Sequence, residues 1–150
     1  NSYGEYVCNG LNGTQHTQAR IADNLFSIKN SFVRISKTAD KVLADKGISG
    51  INAVLLKQYL LFSVRSESFY GKTMISKTGA KGWWQFTGPV AKQYNLKYVM
   101  QLEESARATV ELALDNAKSL NEYGIDPTVE NIYFSHVIGA RGLSLVKKTM

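Results

Sequence analysis

Apolar residues recur at steps of three and four along most of the chain, a spacing typical of amphipathic helices. Residues 18–45 therefore predict one or two helices, whose apolar positions are Ile21, Leu25, Ile28, Phe32, Ile35, Ala39, Val42 and Leu43. Residues 53–66 are apolar nearly all round, which predicts a buried central helix with Asn52 as its N-cap. Residues 102–120 predict a long Ala-rich helix, and two further short helices are expected from about Thr128.

Glycine, proline and short polar residues mark the connections between these segments. Residues 1–17 contain two Asn-Gly pairs and predict a loose lead-in. Residues 71–82 form a polar connection with three glycines, which predicts a loop or a small hairpin. Pro89 suits the first turn of a helix, and Gly124 with Pro127 ends the long helix before them. The elements predict a mainly α fold.

Length and composition favour one packed domain over residues 1–150. Of the 150 residues, 44% are hydrophobic and 20% are charged, so a globular core can form. The net charge of +6 favours an anionic partner, and nucleic acid, anionic lipid and acidic glycan all qualify. The basic residues are scattered and form no recognition motif, so no nucleic acid is expected. The longest apolar run, about 53–64, is too short for a membrane span.

Metal and cofactor chemistry are not indicated by the cysteine and histidine positions. The chain has one cysteine, Cys8, and two isolated histidines, His16 and His136. None of them has neighbours at metal-ligand spacing, so no metal and no cofactor are expected.

Glu67 is the most suggestive titratable residue. It follows directly on the most apolar predicted helix, where the negative end of the helix dipole and the apolar surroundings both favour the protonated acid. A carboxyl with a raised pKa is what general-acid attack on a glycosidic oxygen requires. The competing interpretation is an ordinary solvated glutamate at a helix end.

The spacing of the residues after Glu67 favours the catalytic interpretation. Ser68 follows immediately, and Ser76, Gly79-Ala80, Gly82 and Gln85-Phe86 come at fixed offsets. This run resembles the Glu-Ser to Gly-Ala-x-Gly-x-x-Gln signature of lytic transglycosylases. The resemblance covers residues 66–95 and, less closely, 131–145. It implies a lysozyme-like fold, mainly α with some β, in which the 71–82 connection lines a substrate cleft and Glu67 lies at its floor.

The resemblance further implies cleavage of the bond between N-acetylmuramic acid and N-acetylglucosamine in peptidoglycan. By analogy, Glu67 acts first as acid and then as base, and a 1,6-anhydro end is formed without water. The nearest other carboxylates in sequence are Asp45 and Glu103, and most other glycosidases need two carboxylates. A one-acid mechanism therefore suits the sequence, although distant residues can meet in space.

The same resemblance assigns Ser76, Gln85 and Phe86 to the substrate groove, and Gly79 to a place where backbone approaches the glycan closely. The competing interpretation is an ordinary turn held by serine and glutamine side chains. Among the neighbouring aromatic residues Trp83, Trp84 and Phe86, at least one is expected in the core.

A second, weaker similarity lies near the C-terminal end. The run from Ile132 to Ala140 resembles a segment that reads Ala-Tyr-Asn-Ala-Gly in bacterial members, whose tyrosine lies near the catalytic acid. His136 takes the place of that tyrosine, and a His-x-x-Gly version resembles bacteriophage members. His136 is expected to orient Glu67, to bind sugar or to lie bonded in the core, and Tyr133 is a substitute candidate.

Two rival functions remain open at this point. A goose-type muramidase would deliver water to the same bond, and a cell-wall-binding module would bind glycan without turnover. Each of these functions places the protein in the bacterial cell envelope, with peptidoglycan strands as partner, and the bacteriophage likeness adds the virion as a carrier. Residues before Gly50 show no family likeness, so they either complete the core or belong to a larger phage structural protein.

Overall fold

A computed structural model of the protein describes residues 13–149, which are mainly α-helical. Its helices are α1 (Gly13–Asp45), α2 (Gly50–Ser68), α3 (Gly88–Gln93), α4 (Leu102–Glu122) and α5 (Val129–Lys148). Extended pairing within these residues is limited to isolated bridges between Ile75 and Lys81 and between Lys81 and Phe86. The mainly α prediction is confirmed. Cys8 and most of the predicted lead-in lie outside the described residues.

The chain divides into two compact units, Asn1–Arg34 and Ile35–Met150. The described part of the first unit belongs to α1. This helix begins at Gly13, so residues 13–17 are helical and the prediction of a loose lead-in is wrong there. The Thr17 hydroxyl donates a hydrogen bond to the Gly13 carbonyl oxygen at 3.1 Å, one turn earlier in the helix.

The second unit contains the hydrophobic core and the candidate site. Helix α2 packs against α4 and α5, and α4 also packs against α5. Their fully buried side chains meet those from the last part of α1, and they include Ile35, Ala39, Leu60, Val64, Val110, Ala113 and Ile132. This packing supplies most of the apolar burial that stabilises the helices.

Helix α2 differs from the prediction at its start and in its burial. It begins at Gly50 with Ser49 as N-cap, so the prediction of Asn52 as the cap is wrong. The reason is that Gly47 and Gly50, with φ of 71° and 68°, reverse the chain early and leave Asn52 in the first turn. The helix is also not buried all round, because only one face meets α4 and α5. Val54 and Phe62 on the remaining surface are 49% and 45% exposed.

The later helices follow the sequence signals closely. Pro89 lies in the first turn of α3. Helix α4 is capped by the Gln101 side chain, which accepts a hydrogen bond from the Glu104 backbone N–H at 2.7 Å. Helix α5 starts after Thr128 and is interrupted at Gly139, whose φ of 78° and ψ of 156° are not helical. The two short helices predicted from Thr128 are thus the two halves of α5.

The connection between α2 and α3 is a compact loop stabilised at Gly82. This residue has a φ of 87°, and an added Cβ would lie 2.1 Å from the carbonyl oxygen of Val99. No other residue type fits so close to that backbone without a shift. Among the helices of the described range, none is long and apolar enough to span a membrane.

Candidate functional site

Glu67 lies in the last turn of α2, and the chain turns away immediately after it. Ser68 is buried, and its hydroxyl accepts a hydrogen bond from the Gly71 N–H at 2.8 Å. Phe69 ends the helix with a φ of 48° in the left-handed region. These features point the chain away from the helix end and leave the Glu67 side chain 19% exposed.

The Glu67 side chain borders a cavity of about 290 Å³ inside the second unit. The walls combine apolar side chains with a few polar groups: Trp84, Phe86, Val90 and Leu112, with Tyr59, Ser63, Gln85, Thr87, Thr109 and His136. Glu67 is the only carboxylate among the residues that border it. Its size is at the lower end of small-ligand sites, which suits one sugar-sized group.

Burial affects the protonation of Glu67. Removal from water raises the pKa of this carboxyl above its usual value. The nearest basic residue in sequence, Arg65, is exposed and forms no ion pair with it. The acid is therefore protonated over a wider pH range than a solvated glutamate, which is the state that a general acid needs.

His136 lies next to Glu67 in the cavity wall. Its Nε2 atom lies 3.9 Å from Oε1 of Glu67, and its side chain is 30% exposed. Burial lowers the pKa of His136, whereas it raises that of Glu67. The distance is too long for a direct hydrogen bond, and the two shifts favour neutral forms of both groups. Both shifts therefore work against an ion pair between the two side chains.

Tyr133 lies close enough to Glu67 to respond to its charge but does not border the cavity. Its pKa is raised first by burial and then by the Glu67 carboxylate. The ring packs edge-on against Phe62, with centroids 5.4 Å apart. Tyr133 is thus a neighbour of the candidate acid, and the prediction that it contacts substrate stays a prediction.

Gln85 borders the cavity and also holds the adjoining loop together. Its side-chain Nε2 donates to the carbonyl oxygens of Thr73 and Met74, both at 3.2 Å, and of Gly82 at 2.9 Å. Its φ of 54° is unusual for a residue with a side chain. The amide group therefore braces residues 73–82, in addition to any contact with substrate.

Ser76 and Gly79 lie in the loop away from this cavity. The Ser76 hydroxyl accepts a hydrogen bond from the Ala80 N–H at 2.9 Å, as an ordinary turn residue does. Gly79 has open space around the position of an added Cβ. The structure does not bring either residue to Glu67, and their predicted contact with glycan stays untested.

The aromatic residues beside Gln85 divide between core and loop surface. Trp84 and Phe86 are buried and also form cavity wall, which confirms that at least one of the three lies in the core. The Trp84 indole N–H donates to the Ser63 hydroxyl oxygen at 3.0 Å. Trp83 is partly exposed, and its N–H donates to the Met100 carbonyl oxygen at 3.0 Å.

Tyr59 and Ser63 border the cavity although the sequence motif does not include them. They precede Glu67 by eight and four residues on α2, so the helical period places all three on one face. This spacing was the available signal, and it could have identified both residues once Glu67 was chosen.

The arrangement as a whole is one protonatable carboxyl in a largely apolar cavity, with a neutral imidazole nearby. Such a site can deliver a proton to a leaving oxygen and take one back. Among the described residues, no three His, Asp or Glu side chains are grouped closely enough to hold a metal ion. Comparisons with protein families, with curated proteins and with solved structures found no match for this chain.

Proposed function

We propose that this protein is a lytic transglycosylase that cleaves peptidoglycan in the bacterial cell envelope, with Glu67 as its acid and base. The proposal includes a lysozyme-like fold, suggested by the motif that runs from Glu67 to Gln85, and carriage by a bacteriophage virion, suggested by the His-x-x-Gly pattern at His136. Its substrate is the bond between N-acetylmuramic acid and N-acetylglucosamine.

One observation carries the proposal: Glu67 is the single carboxylate bordering a largely apolar cavity, and burial raises its pKa. Most glycosidases place two carboxylates on either side of the scissile bond. A site with one carboxylate needs a substrate that supplies its own nucleophile. The acetamido group and the 6-hydroxyl of N-acetylmuramic acid provide such nucleophiles.

The reaction then has two steps, both of which use Glu67. In the first step, the protonated carboxyl gives its proton to the glycosidic oxygen as the bond to the anomeric carbon breaks and the acetamido oxygen attacks that carbon. In the second step, the carboxylate removes the proton of the 6-hydroxyl as its oxygen displaces the acetamido oxygen. The products are a 1,6-anhydro end and a free 4-hydroxyl, and Glu67 is protonated again.

His136 and the apolar wall favour the first step. A neutral imidazole 3.9 Å from the carboxyl adds no positive charge that would lower the pKa of the acid. The side chains of Trp84, Phe86 and Leu112 limit access of water to the reacting atoms.

Mass spectrometry of muropeptides released from purified peptidoglycan tests the proposal. We expect anhydro-ended products from the unmodified protein and a loss of about 10²- to 10⁴-fold in rate for Glu67→Gln. Glu122→Gln is the matched control, because Glu122 is an exposed carboxylate at the end of α4 and should leave the rate unchanged.

Other product patterns would replace the proposal. Reducing ends would identify a goose-type muramidase that delivers water, and a second carboxylate would then have to approach the site. Glycan binding without release of any product would identify a cell-wall-binding module.

A further inference from the structure

Several polar side chains of the Glu67 cavity are already bonded within the protein. The Ser63 hydroxyl donates to the Tyr59 carbonyl oxygen at 2.7 Å and accepts from the Trp84 indole N–H. The Thr109 hydroxyl donates to the Ser105 carbonyl oxygen at 2.7 Å. These groups complete the cavity wall and leave little capacity for a ligand.

Tyr59 is different from these wall residues. Only 2% of the residue is exposed, yet its hydroxyl forms no hydrogen bond with any residue in the described range, and its side chain borders the cavity. Among the described residues, the fully enclosed side-chain polar atoms without a partner are Asn24 Oδ1 and Asn116 Nδ2, so the Tyr59 hydroxyl is not sealed off and is reached from the cavity. A ligand that enters the cavity would supply the missing partner.

The hydroxyl is available as a donor over the whole working range of pH. Burial raises the pKa of Tyr59 first, and the negative charges of Glu67 and Tyr133 raise it further. The phenol therefore keeps its proton at neutral pH and presents an O–H to the cavity.

The rest of the wall restricts the kind of group that can accept this hydrogen bond. Trp84, Phe86, Val90 and Leu112 surround the space with apolar surface. A cationic group would lose its hydration there. The carboxylate that could pair with it is Glu67, and burial disfavours its ionised form. A neutral group with one acceptor oxygen and one apolar end fits both the phenol and the wall.

We propose that the Tyr59 hydroxyl is a specificity-determining contact that donates a hydrogen bond to the acetamido carbonyl oxygen of the amino sugar bound beside Glu67. The acetamido methyl group then lies against the apolar wall. This inference rests on the proposed function, and it makes the site selective for N-acetylated glycan over glycan that carries free amines.

Tyr59→Phe tests the assignment, because it removes one oxygen atom and keeps the ring. The rate of muropeptide release from peptidoglycan with intact acetamido groups is compared for the variant and the unmodified protein. The preference for acetylated over deacetylated glycan is measured by binding, because deacetylated glycan lacks the acetamido nucleophile of the proposed reaction. We expect kcat/KM to fall about tenfold on the acetylated substrate, and the preference in binding to decline by a similar factor.

Tyr94→Phe is the matched control. The Tyr94 hydroxyl donates to the Asp115 carboxylate at 2.6 Å, and this residue does not border the cavity. Its loss should lower the thermal unfolding temperature and leave selectivity intact. Tyr59→Phe should instead unfold at nearly the same temperature, because it removes a hydroxyl that forms no hydrogen bond within the described residues. Equal selectivity in Tyr59→Phe and the unmodified protein would overturn the assignment.

Binding measurements separate this assignment from the proposed reaction. Calorimetric titration of the Glu67→Gln protein with a tetrasaccharide of N-acetylglucosamine, and with its deacetylated counterpart, needs no turnover. We expect the Glu67→Gln protein to bind the acetylated tetrasaccharide more tightly, and we expect this preference to disappear in Glu67→Gln/Tyr59→Phe. That result would support the role of Tyr59 even if the unmodified protein releases no anhydro product. Unchanged preference in the double variant, or no binding to the Glu67→Gln protein, would overturn it.

Discussion

The Nε2 atom of His136 lies 3.9 Å from Oε1 of Glu67, and burial shifts the pKa of each residue toward its neutral form. A charged histidine at this distance would stabilise the carboxylate and weaken Glu67 as an acid. An imidazole in its neutral form offers no such charge. It therefore leaves the pKa of Glu67 raised by burial.

Replacement of His136 tests this relationship through the pH dependence of activity. Glu67 must be protonated to act first, so activity falls as the pH rises through its raised pKa. His136→Ala opens the site to water, lowers that pKa toward its ordinary value and moves the alkaline limb of the kcat profile to lower pH. We expect the activity near neutral pH to fall about tenfold.

His136→Phe is the control for this experiment, because the ring keeps the carboxyl covered. Its alkaline limb should stay near that of the unmodified protein. If the imidazole were charged instead, both variants would move the limb to higher pH, because a stabilising positive charge would have been lost.

The stability of Glu67→Gln relative to the unmodified protein should depend on pH. The folded-state pKa of Glu67 lies above its unfolded value, so the folded state binds the proton more tightly. The stability that the protonated Glu67 carboxyl contributes is fully present below the ordinary glutamate pKa. It is lost as the pH rises through the raised pKa of Glu67 in the folded state. Glutamine never ionises, so Glu67→Gln should gain stability over the unmodified protein on going from acidic to neutral and alkaline pH.

Urea unfolding at a series of pH values measures this difference. Glu122→Gln, which replaces an exposed carboxylate, should show a difference that varies much less with pH. A gap between Glu67→Gln and the unmodified protein that shrinks as the pH rises would contradict the burial of Glu67.

The bracing role of Gln85 predicts a large effect of Gln85→Glu. At neutral pH the new carboxylate would face the carbonyl oxygens of Thr73, Met74 and Gly82 and would offer them no donor. We expect the free energy of unfolding to fall by about 2 kcal/mol, less at acidic pH where the protonated acid regains one donor. Gln93→Glu, at an exposed position in α3, should change it little, and equal effects of the two in urea unfolding would rule out the brace.

The elements that depend on local patterns are the ones that the sequence predicts best. The period of apolar residues predicted α4, and Pro89 marked the start of α3, because both signals act within one or two turns of helix. The start of α2 was misplaced at Asn52, since two glycines with positive φ decide where the chain turns. Asn52 lies near that turn and is of a residue type that often caps helices, so it gave a competing signal for the start of α2.

The candidate site was only partly predictable, because it depends on packing between helices. The motif identified Glu67, and its place in a cavity required α4 and α5 to supply Leu112 and His136. The open hydroxyl of Tyr59 depends on the same packing and has no sequence signature. Ser76 matches the motif in spacing, yet its distance from the cavity is set by the fold of the loop, which spacing does not determine.

The glycines of the loop offer a final test of what the motif requires at each position. Both Gly79 and Gly82 have positive φ, so alanine should introduce backbone strain of about 1 kcal/mol at either one. Only at Gly82 would the added Cβ also meet backbone, 2.1 Å from the Val99 carbonyl oxygen. We expect Gly82→Ala to lose roughly 3 kcal/mol more than Gly79→Ala in urea unfolding, because the whole segment would have to shift. Similar losses for the two would mean that Gly82 is not needed for this close approach of backbone.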